Sequence, residues 1–124
     1  MSSDRLTDRT NIRISVEANK VSELLKDTGY FEDELTIAKF ALAYAIKQGL
    51  DKNLEEFKLG AESLNKWNIG SIDGDSYLRN LIISLHPVID TPYRYVEALI
   101  SIGLEAIGNT IKTDNGFIKL SNYM

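Results

Sequence analysis

Asp73-Gly74-Asp75 is the stretch that comes nearest to metal chemistry. A metal-dependent nuclease would need Asp73 or Asp75 to hold a divalent ion. The twelve-residue spacing and closing bidentate glutamate of a calcium loop are absent, and a turn that caps the following helix is the better reading. The chain has one histidine and no cysteine, which removes thiolate nucleophiles, disulfides and nearly every zinc scheme. His86 precedes Pro87 at the end of an apolar run; it reads as a residue capping a helix C-terminus rather than as a base beside a nucleophile. Glu32, Asp33 and Glu34 sit where a helix begins, and negative charge is favoured there by the helix dipole. No glycine-rich loop has phosphate-cradling spacing. The expectation is a protein that is not an enzyme and has no catalytic, cofactor-binding or metal residues. Two aromatic clusters could contact a partner: Tyr93-Arg94-Tyr95, where a cation lies between two rings, and Lys66-Trp67.

The whole chain has 124 residues, a net charge of -4 and a sequence pI of about 5.0. That length fits one compact domain, and 44% hydrophobic with 26% charged residues is ordinary for a globular protein. The acidic balance runs against a bulk nucleic-acid binder, whose affinity rests on phosphate contacts; any DNA contact must come from a local basic patch. The polar start MSSDRLTDRTN lacks the apolar run of a signal peptide. No apolar stretch approaches the ~20 residues that cross a bilayer. A soluble, cytoplasmic protein without membrane partners is expected.

These residues must be positioned by elements that the pattern also predicts. Residues 1–10 read as a flexible arm and 11–124 as a single helical domain. Asn11-Ile12-Arg13-Ile14-Ser15-Val16 alternates polar and apolar side chains, the period of a half-buried strand. Ile12, Ile14 and Val16 would face a core; Asn11, Arg13 and Ser15 would face out. The run stands alone, so the strand must pair with another subunit or the distant C-terminus, or go unpaired, and it hints at a dimer. A helix capped by Asn19 and ended by Gly29 follows, then a longer one from about Asp33 to Lys47 closed by Gly49. Residues 51–66 read as a weaker amphipathic segment and 68–75 as a loop. Asp75 opens a helix that stops at His86-Pro87, and Thr91-Pro92 starts another that runs to about residue 109. Asp114-Asn115-Gly116 predicts a small hairpin between 110–113 and 117–120. The fold class is mainly α: one short N-terminal strand, four or five helices and a C-terminal hairpin.

The order strand, glycine-ended helix, longer helix resembles a ribbon-helix-helix unit, in which strands of two subunits pair. In DNA-binding members the outward strand side chains read base edges in the major groove, which implies Asn11, Arg13 and Ser15. The whole of residues 11–110 resembles the DndE-like proteins of bacterial DNA phosphorothioation. The likeness is carried by Ile12-Arg13-Ile14-Ser15 with Val21–Leu25 and Thr28-Gly29, the Ala/Leu-rich helix to Ile46, Leu64-Asn65-Lys66-Trp67 with Gly70, Asp73 and Leu78–Leu85, and the helix Tyr95–Gly108 around Gly103. It implies a homo-oligomer, a dimer or tetramer, that associates with nicked or duplex DNA through lysines. It also implies a place beside other subunits of the sulfur-modification and defence system, without sulfur chemistry of its own. Carried over residue by residue, Lys20, Lys26 and Lys66 would contact DNA. The acidic balance departs from that pattern. The alternative is a scaffold that joins protein partners without touching DNA.

Overall fold

The computed structural model describes residues 7–57, 59 and 62–111. The protein is mainly α, as the periodicity predicts. Strand β1 (Asn11–Ile14) leads into α1 (Val16–Asp27) and α2 (Glu34–Lys47). A 3-10 helix (Leu50–Glu56), strand β2 (Leu64–Asn68), the single turn α3 (Ile69–Ile72), α4 (Tyr77–Leu85) and the long α5 (Pro92–Ile111) complete it.

The caps explain where the helices begin. Ser15, not Asn19, caps α1: its Oγ accepts from the Ala18 N–H at 3.0 Å. That role turns Ser15 inward and ends the strand alternation at Ile14. Asp33 caps α2 by accepting from the Thr36 N–H at 2.8 Å, which holds its carboxyl below the usual carboxylate range. Gly29 and Gly49, with φ of 77° and 74°, terminate α1 and the turn after α2 in the left-handed conformation that glycine takes without a Cβ penalty. α5 starts at Pro92, but the carboxylate that satisfies its first free N–H groups comes from far away. Asp8 accepts from Tyr93 N–H and Arg94 N–H at 3.2 and 3.0 Å. Residues 7–10, expected as part of a flexible arm, are thereby tied to α5.

α5 is the element around which the others pack. It is about 30 Å long at 1.5 Å per residue, and it buries Val96, Leu99, Ile100, Leu104 and Ile107 against β1, α1, α2, α4 and the 3-10 helix. α1 contributes Ala18, Val21 and Leu25, and α2 contributes Ile37, Ala38, Ala41, Leu42 and Ala45, each set recurring at helical spacing. The α2–α5 crossing is close because Gly103 lies against the Ala41 backbone; a Cβ there would fall inside contact distance of the Ala41 carbonyl oxygen.

β1 does have a partner within the chain. It pairs antiparallel with β2, in a segment whose composition reads as a weak helix. Ile12 faces Trp67 and Arg13 faces Asn65, so Lys66 is the extra residue of a β-bulge. The opposite edge of β1 is closed by side chains of α5. Glu97 Oε2 accepts from the Arg13 N–H at 2.9 Å and Ser101 Oγ accepts from the Ser15 N–H at 3.1 Å. Glu105 Oε2, one turn on, accepts from Ser15 Oγ at 2.6 Å. Residues 97, 101 and 105 lie on one helix face, and this polar ladder stands where a third strand would. The expected pairing of β1 with another subunit is therefore replaced by pairing inside the chain. The expected stretch 68–75 is not all loop either: Asn68 caps α3 by accepting from the Ser71 N–H. The C-terminal hairpin expected around 114–116 lies outside the described residues.

Candidate anion-binding cleft

Alternation in β1 sends Ile12 and Ile14 into the core at 0% exposure and leaves Asn11 and Arg13 on the outer face. Asn65, paired with Arg13 across the two-stranded sheet, shares that face. Thr7, Asp8, Arg9 and Thr10 run alongside, and the first turn of α5 brings Arg94. Together with Ser63 they line a polar cleft of about 490 Å³.

Three guanidinium groups converge there, each oriented by one acceptor. Arg9 Nε donates to Glu97 Oε1 at 3.0 Å, Arg13 Nη2 to the Ser63 carbonyl at 3.2 Å, and Arg94 Nε to the Thr7 carbonyl at 2.7 Å. A guanidinium carries five N–H donors and no acceptor, so each of these arginines has donors beyond the one engaged by its acceptor. Two carboxylates balance the charge in part. Asp8 is committed to N–H groups of α5 and of Arg9. Glu97, 3% exposed, forms the cleft's rear support by holding Arg9 and the β1 backbone at once. In a chain of net charge -4, three arginines against these two carboxylates make a local positive site. Its chemistry is that of an oxyanion receptor: fork-shaped donors suited to phosphate, with amides of Asn11 and Asn65 beside them.

The six residues expected to contact DNA do not form one surface. Asn11 and Arg13 line the cleft. Ser15 is buried as the α1 cap and is bonded to Glu105. Lys20 is exposed on α1, 4.0 Å from Glu17, and Lys26 is exposed in the last turn of the same helix. Lys66, turned aside by the bulge, bonds Glu34 at 2.6 Å and Asn19 at 2.9 Å, so it fastens β2 to α1 and α2. The sequence reading assigned only Asn11 and Arg13 of the cleft's lining, and missed Arg9, Asn65 and Arg94 among the rest. Arg94 was visible only as the cation between two tyrosines.

Those tyrosines face inward. Tyr93 Oη donates to Asp73 Oδ2 at 2.9 Å, and burial, followed by this bond, raises the phenol's pKa above 10.0. The Tyr95 ring lies 5.4 Å from that of His86, whose Nε2 is 2.9 Å from Asp51 Oδ2. Asp73 also accepts from the Leu78 and Arg79 N–H groups at the start of α4. Asp75 accepts from the Tyr77 N–H. Both carboxylates of the metal-like stretch thus serve the α4 N-terminus, and no group of three or more potential metal ligands occurs among the described residues. No described helix is long and apolar enough to cross a membrane. No family model matches the chain, and neither a curated protein nor a solved structure matches it.

Proposed function

We propose that this chain is a non-catalytic, DNA-associated accessory protein that engages the phosphates of nicked or intact duplex through the arginine cleft, acting as a homo-oligomer. The convergence of Arg9, Arg13 and Arg94 beside Asn11 and Asn65 carries this reading. On this reading, the resemblance in residues 11–110 implies a role beside the enzymes of a bacterial DNA sulfur-modification system. In that setting it would position DNA or partner subunits rather than react with either.

Titrating nicked and intact duplex across a salt series tests the proposal. Binding should be measurable at low salt and fall as salt is added. Arg13→Ala with Arg94→Ala should weaken it by about a hundredfold or more while leaving helical circular dichroism unchanged, because each loses a charge-assisted contact worth about 1.5–3 kcal/mol. Absence of low-salt binding, or a double variant that binds like the parent, would overturn it. The net charge of -4 favours a second reading, a scaffold that joins proteins without DNA. A complex with partner subunits that forms without DNA and survives nuclease, in a chain that does not bind duplex, would favour the scaffold.

A further inference from the structure

Two of the three cleft arginines owe their place to the same short segment, residues 7–10. Arg9 belongs to it, and Arg94 Nε donates to its Thr7 carbonyl at 2.7 Å. Both are thus set by how this strap lies against α5. Arg13 stands apart, because β1 is fixed by β2 on one edge and by Glu97 on the other.

Asp8 fastens the strap to a rigid element. Its Oδ1 accepts from the Arg94 N–H at 3.0 Å and from the Arg9 N–H at 2.9 Å, and its Oδ2 accepts from the Tyr93 N–H at 3.2 Å. The first turn of α5 that donates two of these bonds is anchored by Pro92 and Val96, both buried. The helix dipole favours a carboxylate at that end. The other ties of the strap are weaker anchors. Two run through the long side chains of Arg9 and Arg94, which give up rotamer freedom when held. Another is a single backbone bond, from the Ile69 N–H to the Thr10 carbonyl at 3.2 Å. A carboxylate one methylene from the backbone gives up far less freedom. These acceptor bonds of Asp8 go to backbone N–H groups, so removing its charge and removing its acceptors are separable changes.

We propose that Asp8 is the positioning residue of the oxyanion site: it latches residues 7–10 to α5 and so presents Arg9 and Arg94 to a ligand phosphate. This assignment rests on the oxyanion reading of the cleft and adds what assembles it. Its consequence runs against simple electrostatics. Asp8 lines a cleft for anions, so as a charge alone it repels the ligand, and removing that charge by any substitution should tighten binding. As a latch it raises affinity in spite of its charge. A docked strap and a bound phosphate then favour each other, and the coupling is reciprocal.

Inorganic phosphate, titrated into the full chain at constant ionic strength and followed by amide NMR shifts, tests this. Asp8→Ala removes charge and acceptors together. It should bind phosphate about tenfold more weakly, the loss expected when one molecule in ten keeps the strap docked. Asp8→Asn removes the charge but keeps an acceptor of the kind that caps helices, and it should bind at least as tightly as the parent. Any other order of the three affinities overturns the proposal; both variants binding more tightly than the parent would show Asp8 acting as a charge alone. If Asp8→Ala loses its helical circular dichroism, hydrogen exchange in the parent decides. Saturating phosphate should slow exchange of the Ile69 N–H, which pairs with the strap but does not line the cleft; unchanged exchange overturns the latch. Failure of the underlying reading looks different. A parent that binds neither phosphate nor duplex refutes both, whereas a parent that binds while Asp8→Ala binds equally well refutes the latch alone.

Discussion

Glu97 stands in the polar ladder of α5 with Ser101 and Glu105, and a carboxylate with 3% exposure is costly unless both its oxygens are matched. They are, by the Arg9 guanidinium and the Arg13 N–H. Replacing it by alanine leaves a backbone N–H unpaired and removes the support of Arg9. The expected loss is about 2–4 kcal/mol in urea unfolding, less than for a fully buried pair because Arg9 keeps solvent access. Glu97→Gln, which keeps an acceptor for the N–H, should lose less than half as much. Tyr93 supplies a pH signature at the same scale. Its folded pKa lies above 10.0, so the folded state holds the phenol proton more tightly than the unfolded chain does. Its stabilisation is fully present below the unfolded value and is lost as pH rises through the folded one. The advantage of the parent over Tyr93→Phe in urea midpoint should be flat through neutral pH and shrink only in strong alkali; a difference that shrinks near neutrality would contradict the assignment. Of this chemistry, Arg13 was legible from strand alternation, whereas Glu97 and Asp8 were not. Their partners lie 84 to 88 residues away, and no local period encodes such a pairing.

At the scale of elements, the same asymmetry separates what the sequence announces from what packing decides. Helices α1, α2, α4 and α5 follow from apolar residues at helical spacing and from their stop signals. β2 does not, because Leu64-Asn65-Lys66-Trp67-Asn68 alternates poorly; it is a strand because β1 needs a hydrogen-bonded neighbour and the bulge at Lys66 absorbs the mismatch. The one-turn α3 is likewise fixed by the Asn68 cap rather than by any period. The crossing of α2 and α5 gives a sharper test. Glycine to alanine inside a helix gains up to about 1 kcal/mol of intrinsic propensity. At Gly103 the new methyl meets the Ala41 backbone, which cannot rotate away, and overpacking of that kind costs about 1–3 kcal/mol or more. At Gly108 it meets the Val21 Cγ2 at 2.6 Å, a side chain that can shift. Gly103→Ala should therefore destabilise by about 2 kcal/mol net, and Gly108→Ala by distinctly less. Thermal melts of the two variants, run side by side, decide whether the crossing is as close as the fold requires.

Across the whole molecule, the question is how a chain of charge -4 can meet a polyanion at all. Among the described residues its cations are dispersed: Lys66 is paired with Glu34, Lys20 lies near Glu17, and Arg9, Arg13 and Arg94 share the polar cleft. Duplex binding would then be governed by few contacts, and counterion release counts them. Three phosphate contacts predict a slope of about -3 in log affinity against log salt, shallow for a DNA-binding protein. If a homo-oligomer places two clefts on one duplex, the slope should approach about -5 to -6. Arg13→Ala should then lower it by about 1 per cleft engaged. The mass of the protein in solution, read beside the slope, separates these cases. A monomer should show the shallow slope of a single cleft, and an oligomer a steeper slope with higher affinity because its second contact is intramolecular. A slope that is steep in the parent and unchanged in Arg13→Ala would show that lysines outside the cleft carry the contact, and Lys20 and Lys26, exposed on α1, would be the residues to replace next.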